Sequence, residues 1–178
     1  MKWVSSVALI LLFTITCYSQ ERVTISNSPS FWYVYMEFQG SHYEGLPEKF
    51  DLFVQELRRQ EFLPKISGDS FCIFFDSPLQ VAERDTVWGV GFEIEKDTPV
   101  QSPLKKKEFA YEWIAAIICK GPHEPAVGNA HSIIIPYIEE NGLEVVGPPV
   151  EIWHGNTRED KSEDLSVEIL IPIREPKK

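Results

Sequence analysis

The sequence predicts an α+β fold: two β-α-β-β repeats related by a pseudo-twofold axis, forming an antiparallel concave sheet with two helices on one face. Three observations predict it. Gly40-Ser41-His42 is echoed by Gly121-Pro122-His123 at an offset of 81 residues, and self-similarity at a fixed period marks a repeated structural unit. An apolar strand-like run precedes each triplet, Phe31 to Phe38 in one copy and Trp113 to Cys119 in the other. A helical pattern follows each, then two further strand-like runs.

The chain begins with Met1-Lys2-Trp3 and an apolar stretch from Val4 to Thr16, which reads as a secretory signal. It falls short of the ~20 apolar residues of a membrane-spanning helix. Cys17 and Ser19 suit cleavage before Gln20. Residues 1–19 are therefore expected to be removed, leaving 20–178 as one secreted or periplasmic domain. Thr14-Ile15-Thr16-Cys17 also has the outline of a lipoprotein box, so a lipidated Cys17 or an uncleaved leader would be the route to a membrane.

Repeat one spans about residues 31–95. After its opening strand, Phe50, Phe53, Val54 and Leu57 recur at i, i+3, i+4 and i+7, the stripe of a helix that faces a sheet. A turn at Gly68 leads to a strand from Phe71 to Phe75, and Val87 to Ile94 closes the unit. Residues 96–107 hold Pro99, Pro103 and Lys105-Lys106-Lys107. They read as a linker, with the basic run a solvated turn. Repeat two, about 108–174, carries its helical stripe on Ala130, Ile133, Ile134, Tyr137 and Ile138. That helix is expected to kink at Pro136, which lacks an amide donor, and to stop at Asn141-Gly142. A turn at Gly147, a strand from Val150 to Trp153 and a closing strand from Leu165 to Ile173 complete the copy. Two such units, each with one bare sheet face, are expected to join edges and share a core.

Composition narrows the partners. Of the residues, 43% are hydrophobic and 25% charged, the profile of a compact globular domain. Losing the leader removes one cation, Lys2, and leaves 16 Lys+Arg against 27 Asp+Glu, a net charge near −11. Nucleic-acid binding draws on clustered cations that displace counterions, so no nucleic-acid partner is expected. Cys72 and Cys119 sit inside apolar runs and read as buried thiols, although an exported protein also permits one disulfide between them.

Three segments, in order, carry a resemblance: Tyr137-Ile138-Glu139-Glu140-Asn141-Gly142-Leu143, then Val146-Gly147-Pro148-Pro149-Val150-Glu151-Ile152-Trp153, then Val167-Glu168-Ile169-Leu170-Ile171-Pro172-Ile173. The set resembles the helix end, penultimate strand and closing strand of the GyrI-like small-molecule-binding family. That family is related to AraC-type effector-binding domains and more distantly to SOUL haem-binding proteins. The resemblance reaches from about Trp32 to Ile173. Trp153 stands where the family usually has tyrosine, Pro136 interrupts the second helix, and no helix-turn-helix precedes the domain. With that module missing and a leader present, neither gene regulation nor inhibition of cytoplasmic gyrase is expected.

The resemblance implies a groove on the concave face with a glutamate on its floor, and Glu168 is the matching position. Strand alternation agrees: Val167, Ile169, Ile171 and Ile173 share one parity and face the helices, which sends Glu168 and Leu170 to the other face. A carboxylate among aromatics loses hydration and favours a cationic partner. On the opening strand of repeat two, the same reasoning turns Trp113, Ala115, Ile117 and Cys119 to the groove and Ile114, Ala116 and Ile118 to the helices. Trp88, near the repeat equivalent of Glu168, and Trp153 are expected beside Trp113 as walls. Tyr33, Tyr35 and Tyr111 are further candidates, on strands whose two faces are both bulky.

No metal or cofactor is expected. His42 and His123 occupy equivalent loop positions but lack other ligands at metal spacing, and neither His131 nor His154 has a motif around it. The functional expectation is an exported binding protein that holds an apolar or cationic small molecule. Relatives imply two alternatives: a hydrolase of strained electrophiles such as cyclopropanoids, with Glu168 as acid/base beside a tyrosine, or a membrane-anchored interaction protein of unspecified partner. Haem binding, suggested by the SOUL relatives, has no axial ligand to name.

Overall fold

The structure is a computed structural model and describes residues 21–41, 44–62, 66–76, 81–155, 161 and 164–174. The expected leader with Cys17, and His42, lie outside the described residues. Among the described residues, eight strands and two α-helices follow one another: β1 (Thr24–Asn27), β2 (Ser30–Gln39), α1 (Leu46–Arg59), β3 (Ile66–Phe74), β4 (Val87–Ile94), β5 (Lys105–Ala110), β6 (Trp113–Lys120), α2 (His123–Glu140), β7 (Val150–His154) and β8 (Ser166–Ile173). The strands form one antiparallel sheet in the order β1-β6-β8-β7-β3-β4-β2-β5. Among the described residues, no helix is long and apolar enough to cross a membrane.

The two predicted repeats are β2-α1-β3-β4 and β6-α2-β7-β8, and their registers match. Trp32 pairs with Ile94 and Gln39 with Val87; Trp113 pairs with Ile173 and Lys120 with Ser166. The opening strands therefore correspond at an offset of 81 and the closing strands at 79. The two extra residues of repeat one lie between helix and strand, where β3 bulges: from Ser67 to Phe71 it advances four residues while β4 advances two. Across the central seam Phe71 pairs with Ile152, Cys72 with Glu151 and Ile73 with Val150. At an offset of 79 Cys72 corresponds to Glu151, so that pair lies on the pseudo-twofold axis.

Each repeat has one strand more than the pattern predicted. The basic run expected in the linker opens β5, an edge strand paired to β2, and β1 is an edge strand paired to β6. Lysines suit such a position, because charged side chains discourage pairing of an exposed edge with another chain. Nor does a turn form at Gly68, which lies within β3.

Both helices cover the same face. α2 buries Ala126, Ala130, Ile134 and Ile138 against Val167, Ile169, Ile171 and Ile173 of β8 and against β6. α1 buries Phe53 and Leu57 against Val34, Trp88, Val90 and Ile94. Trp153 packs against both clusters and joins them. α2 continues through Pro136, which lies on its exposed face. Both helices end alike. Leu143 N–H donates to Ile138 O and Gly142 N–H to Glu139 O; Phe62 N–H donates to Leu57 O and Glu61 N–H to Arg58 O. This is the two-bond Schellman closure, with Gly142 (φ 59) and Glu61 (φ 58) in the left-handed conformation it requires.

Candidate ligand site on the concave face

Side chains of the opposite parity form a third cluster on the face away from the helices. Tyr33, Tyr35 and Phe71 from the first half meet Ile114, Val150 and Leu170 from the second. Edge-strand Phe109 packs in the same cluster as Ile114 and Ala116 of β6, so the sheet curls about its concave side. The rings pack closely: Phe31 stacks on Phe109 with centroids 5.0 Å apart, and Tyr33 meets Phe71 edge-on at 5.6 Å. Glycines make room for them. A Cβ on Gly91 would stand 2.7 Å from the Phe71 ring, and one on Gly147 would overlap the Tyr111 ring. Tyr33 is 1% exposed, and burial pushes the phenols of Tyr33, Tyr35 and Tyr111 above their ordinary range. They stay protonated and able to donate hydrogen bonds.

Glu168 lies on this face as expected, in a row with Ile118 on one side and Ile152 on the other. It is 26% exposed, and Ile118 beside it is 51% exposed. The concave face thus has a closed aromatic part and an open end where Glu168 stands. His154 Nε2 lies 3.2 Å from Glu168 Oε2, and His154 Nδ1 lies 2.7 Å from Asp69 Oδ2. Asp69 belongs to the β3 bulge, and bulges commonly re-aim a side chain. Three groups from three strands therefore form a carboxylate-imidazole-carboxylate chain.

The tyrosine candidates face the groove and the tryptophans do not. Tyr33, Tyr35 and Tyr111 belong to the concave cluster. Trp113 packs against the α2 cluster with Ala115, Ile117 and Cys119, whereas Ile114 and Ala116 turn to the concave side, the reverse of the parity expected. The run from Trp113 to Cys119 is apolar on both faces, so alternation carried no polar marker to fix its sense. Trp88 is buried under α1; its Nε1 donates to Gly40 O at 3.1 Å and Lys49 Nζ lies 5.0 Å from its ring centroid. At an offset of 79 the counterpart of Glu168 is Gly89, and Trp88 corresponds to Val167. That one-residue shift reverses the face. Trp153 likewise turns to the helices, 5.9 Å from the His123 ring.

The histidines have specific partners. His131 Nε2 lies 2.6 Å from Oε1 of buried Glu151, and His123 Nε2 lies 3.0 Å from the His154 carbonyl oxygen. His154 and Asp69 escaped the sequence reading. Alternation from Val150 to Ile152 to His154 would have put His154 on the face of Glu168, but nothing local announces the bulge that delivers Asp69. Among the described residues, no group of three His, Cys, Asp or Glu side chains could hold a metal ion. Cys72 and Cys119 are free buried thiols. Burial first, and Glu151 second, hold Cys72 well above the ordinary thiol range.

Residues 22–174 match the model of the GyrI-like small molecule binding domain. The chain belongs to the GyrI-like family. Several solved structures share its fold. The C-terminal domain of EcmrR superposes with a TM-score of 0.70 at 14% identity, covering 87% of this chain and 98% of that one. A hydrolase from Listeria innocua gives 0.63 at 11% identity, covering 86% and 92%. SAV2435, solved bound to tetraphenylphosphonium, gives 0.63 at 13% identity, covering 86% and 94%. No curated protein matches the sequence significantly.

Proposed function

We propose that this GyrI-like chain is an exported binding protein that holds an apolar or cationic small molecule on its concave face, anchored by Glu168. One observation carries the reading. A half-buried carboxylate stands at the open end of an otherwise closed aromatic groove, beside an isoleucine that is half exposed. A charge in such a place loses part of its hydration and gains by meeting an opposite charge. Apolar walls with a few fixed polar groups are the usual make-up of a small-molecule pocket. Ile118 and Ile152 supply apolar contact on either side of Glu168, and the packed ring cluster of the concave face adjoins them.

SAV2435, of the same fold, was solved with a lipophilic cation, so tetraphenylphosphonium is a reasonable first probe. Calorimetric titration is expected to show binding that weakens about tenfold or more in Glu168→Gln, the scale of one lost charge interaction of ~1.5 kcal/mol. Equal affinity in the two proteins would remove Glu168 from the site.

A further inference from the structure

The chain from Asp69 through His154 to Glu168 has a consequence for ligand choice. Both ring nitrogens of His154 face carboxylates, which only accept, and a neutral ring carries one proton; the shorter contact, Nδ1 to Asp69 Oδ2 at 2.7 Å against 3.2 Å from Nε2 to Glu168 Oε2, assigns that proton to Nδ1. A neutral imidazole then presents its Nε2 lone pair to Glu168 Oε2 at 3.2 Å. Two acceptors facing each other repel. A second proton on the ring relieves the conflict, and so does a donor from outside that bonds both. We infer that Nε2 of His154 and the Glu168 carboxylate form a two-acceptor recognition point selecting cations with at least two N–H groups, such as primary ammonium or amidinium, over cations with none.

This inference rests on Glu168 being the ligand anchor and adds the chemistry that the anchor selects. One N–H of the ligand donates to Glu168 and a second to His154, and each bond to a charged partner is stronger than a neutral one. A quaternary ammonium or phosphonium offers no donor to Nε2. It gains only Coulombic attraction to Glu168 and leaves the imidazole lone pair unmet.

The surroundings fit. The β8 residue opposite His154 is Ser166, which pairs in turn with Lys120 of β6, and His123 of α2 reaches only the main-chain oxygen of His154. Ile118 and Ile152 flank Glu168 and offer apolar contact to the hydrocarbon part of a ligand. Among the described residues the pairing is not repeated in the other half. At an offset of 79 the counterparts of His154 and Glu168 in repeat one are Phe75 and Gly89, and the nearby carboxylate there, Glu37, already holds Lys105 at 2.7 Å.

The test compares 2-naphthylmethylammonium with its N,N,N-trimethyl analogue, titrated calorimetrically at pH 8. Wild-type protein is expected to prefer the primary ammonium by about tenfold or more, the scale of one charge-assisted hydrogen bond. His154→Phe, which installs the residue of repeat one, is expected to abolish that preference while still binding the trimethyl form. His154→Leu serves as a second variant should the first fail to fold. Equal wild-type affinities that still depend on Glu168, or a preference surviving both substitutions, would overturn the inference and leave the anchor intact. Binding indifferent to Glu168→Gln, or no binding of either probe, would overturn both.

Discussion

At the level of single residues, the buried acids and phenols tie stability to alkaline pH. The Cys119 thiol is pushed up to about 12, by burial first and then by the Glu21 carboxylate, to which Sγ donates at 3.0 Å. Tyr33, Tyr35 and Tyr111 shift in the same direction through burial. A group whose folded pKa exceeds its unfolded one stabilises the fold fully below the unfolded value. That contribution is lost as pH rises through the folded value, because the unfolded chain releases its proton first. The urea midpoint is therefore expected to fall steadily between about pH 9 and 11, the ordinary range of thiols and phenols, after a plateau near pH 7. A midpoint flat over that span would mean these groups are far more hydrated than the packing shows. The same burial explains why the site was half legible. Glu168 could be placed because Val167, Ile169 and Ile171 mark the other parity; the tryptophans could not, because apolar neighbours on both sides leave no clue to which face is inward.

At the level of elements, the helix ends offer a comparison inside one molecule. Glu61 and Gly142 occupy the same position 81 residues apart, with nearly equal positive φ and the same pair of closing hydrogen bonds. Glycine adopts this conformation without steric cost, whereas a residue with a Cβ loses roughly 1–2 kcal/mol. Glu61→Gly is expected to stabilise the protein by about 1 kcal/mol. Gly142→Ala, with nothing within 4 Å of the added methyl, is expected to destabilise it by a similar amount. Equilibrium urea unfolding reads both, and shifts of the same sign would refute the conformational account. Sequence periodicity found both helices and all six repeat strands, because amphipathic stripes and apolar runs are local signals. It missed the edge strands β1 and β5. Thr24–Asn27 is too short to show a period, and Lys105-Lys106-Lys107 looks like a solvated turn until a neighbouring strand supplies its hydrogen bonds.

At the level of the whole molecule, the two halves are interleaved. β1 precedes repeat one in the chain yet pairs with β6 of repeat two, while β5 precedes repeat two yet pairs with β2 of repeat one. Each half thus completes the edge of the other, the central seam adds the pairs from Phe71 to Ile73 with Val150 to Ile152, and the concave cluster draws side chains from both. Trp153 performs the same service between the helices. Opening either half would strip the other of an edge strand and expose shared apolar surface on both sheet faces. Partial unfolding should therefore gain little entropy for a large loss of burial, and the chain is expected to unfold as one two-state unit despite its internal repeat. Native-state hydrogen exchange resolves this directly. The most protected amides of β4 and of β8 are expected to open with the same free energy, equal to that of global unfolding. If one half opened more easily by about 2 kcal/mol or more, the repeats would behave as separate folding units, and a ligand could then act by ordering the weaker half rather than by filling a groove already formed.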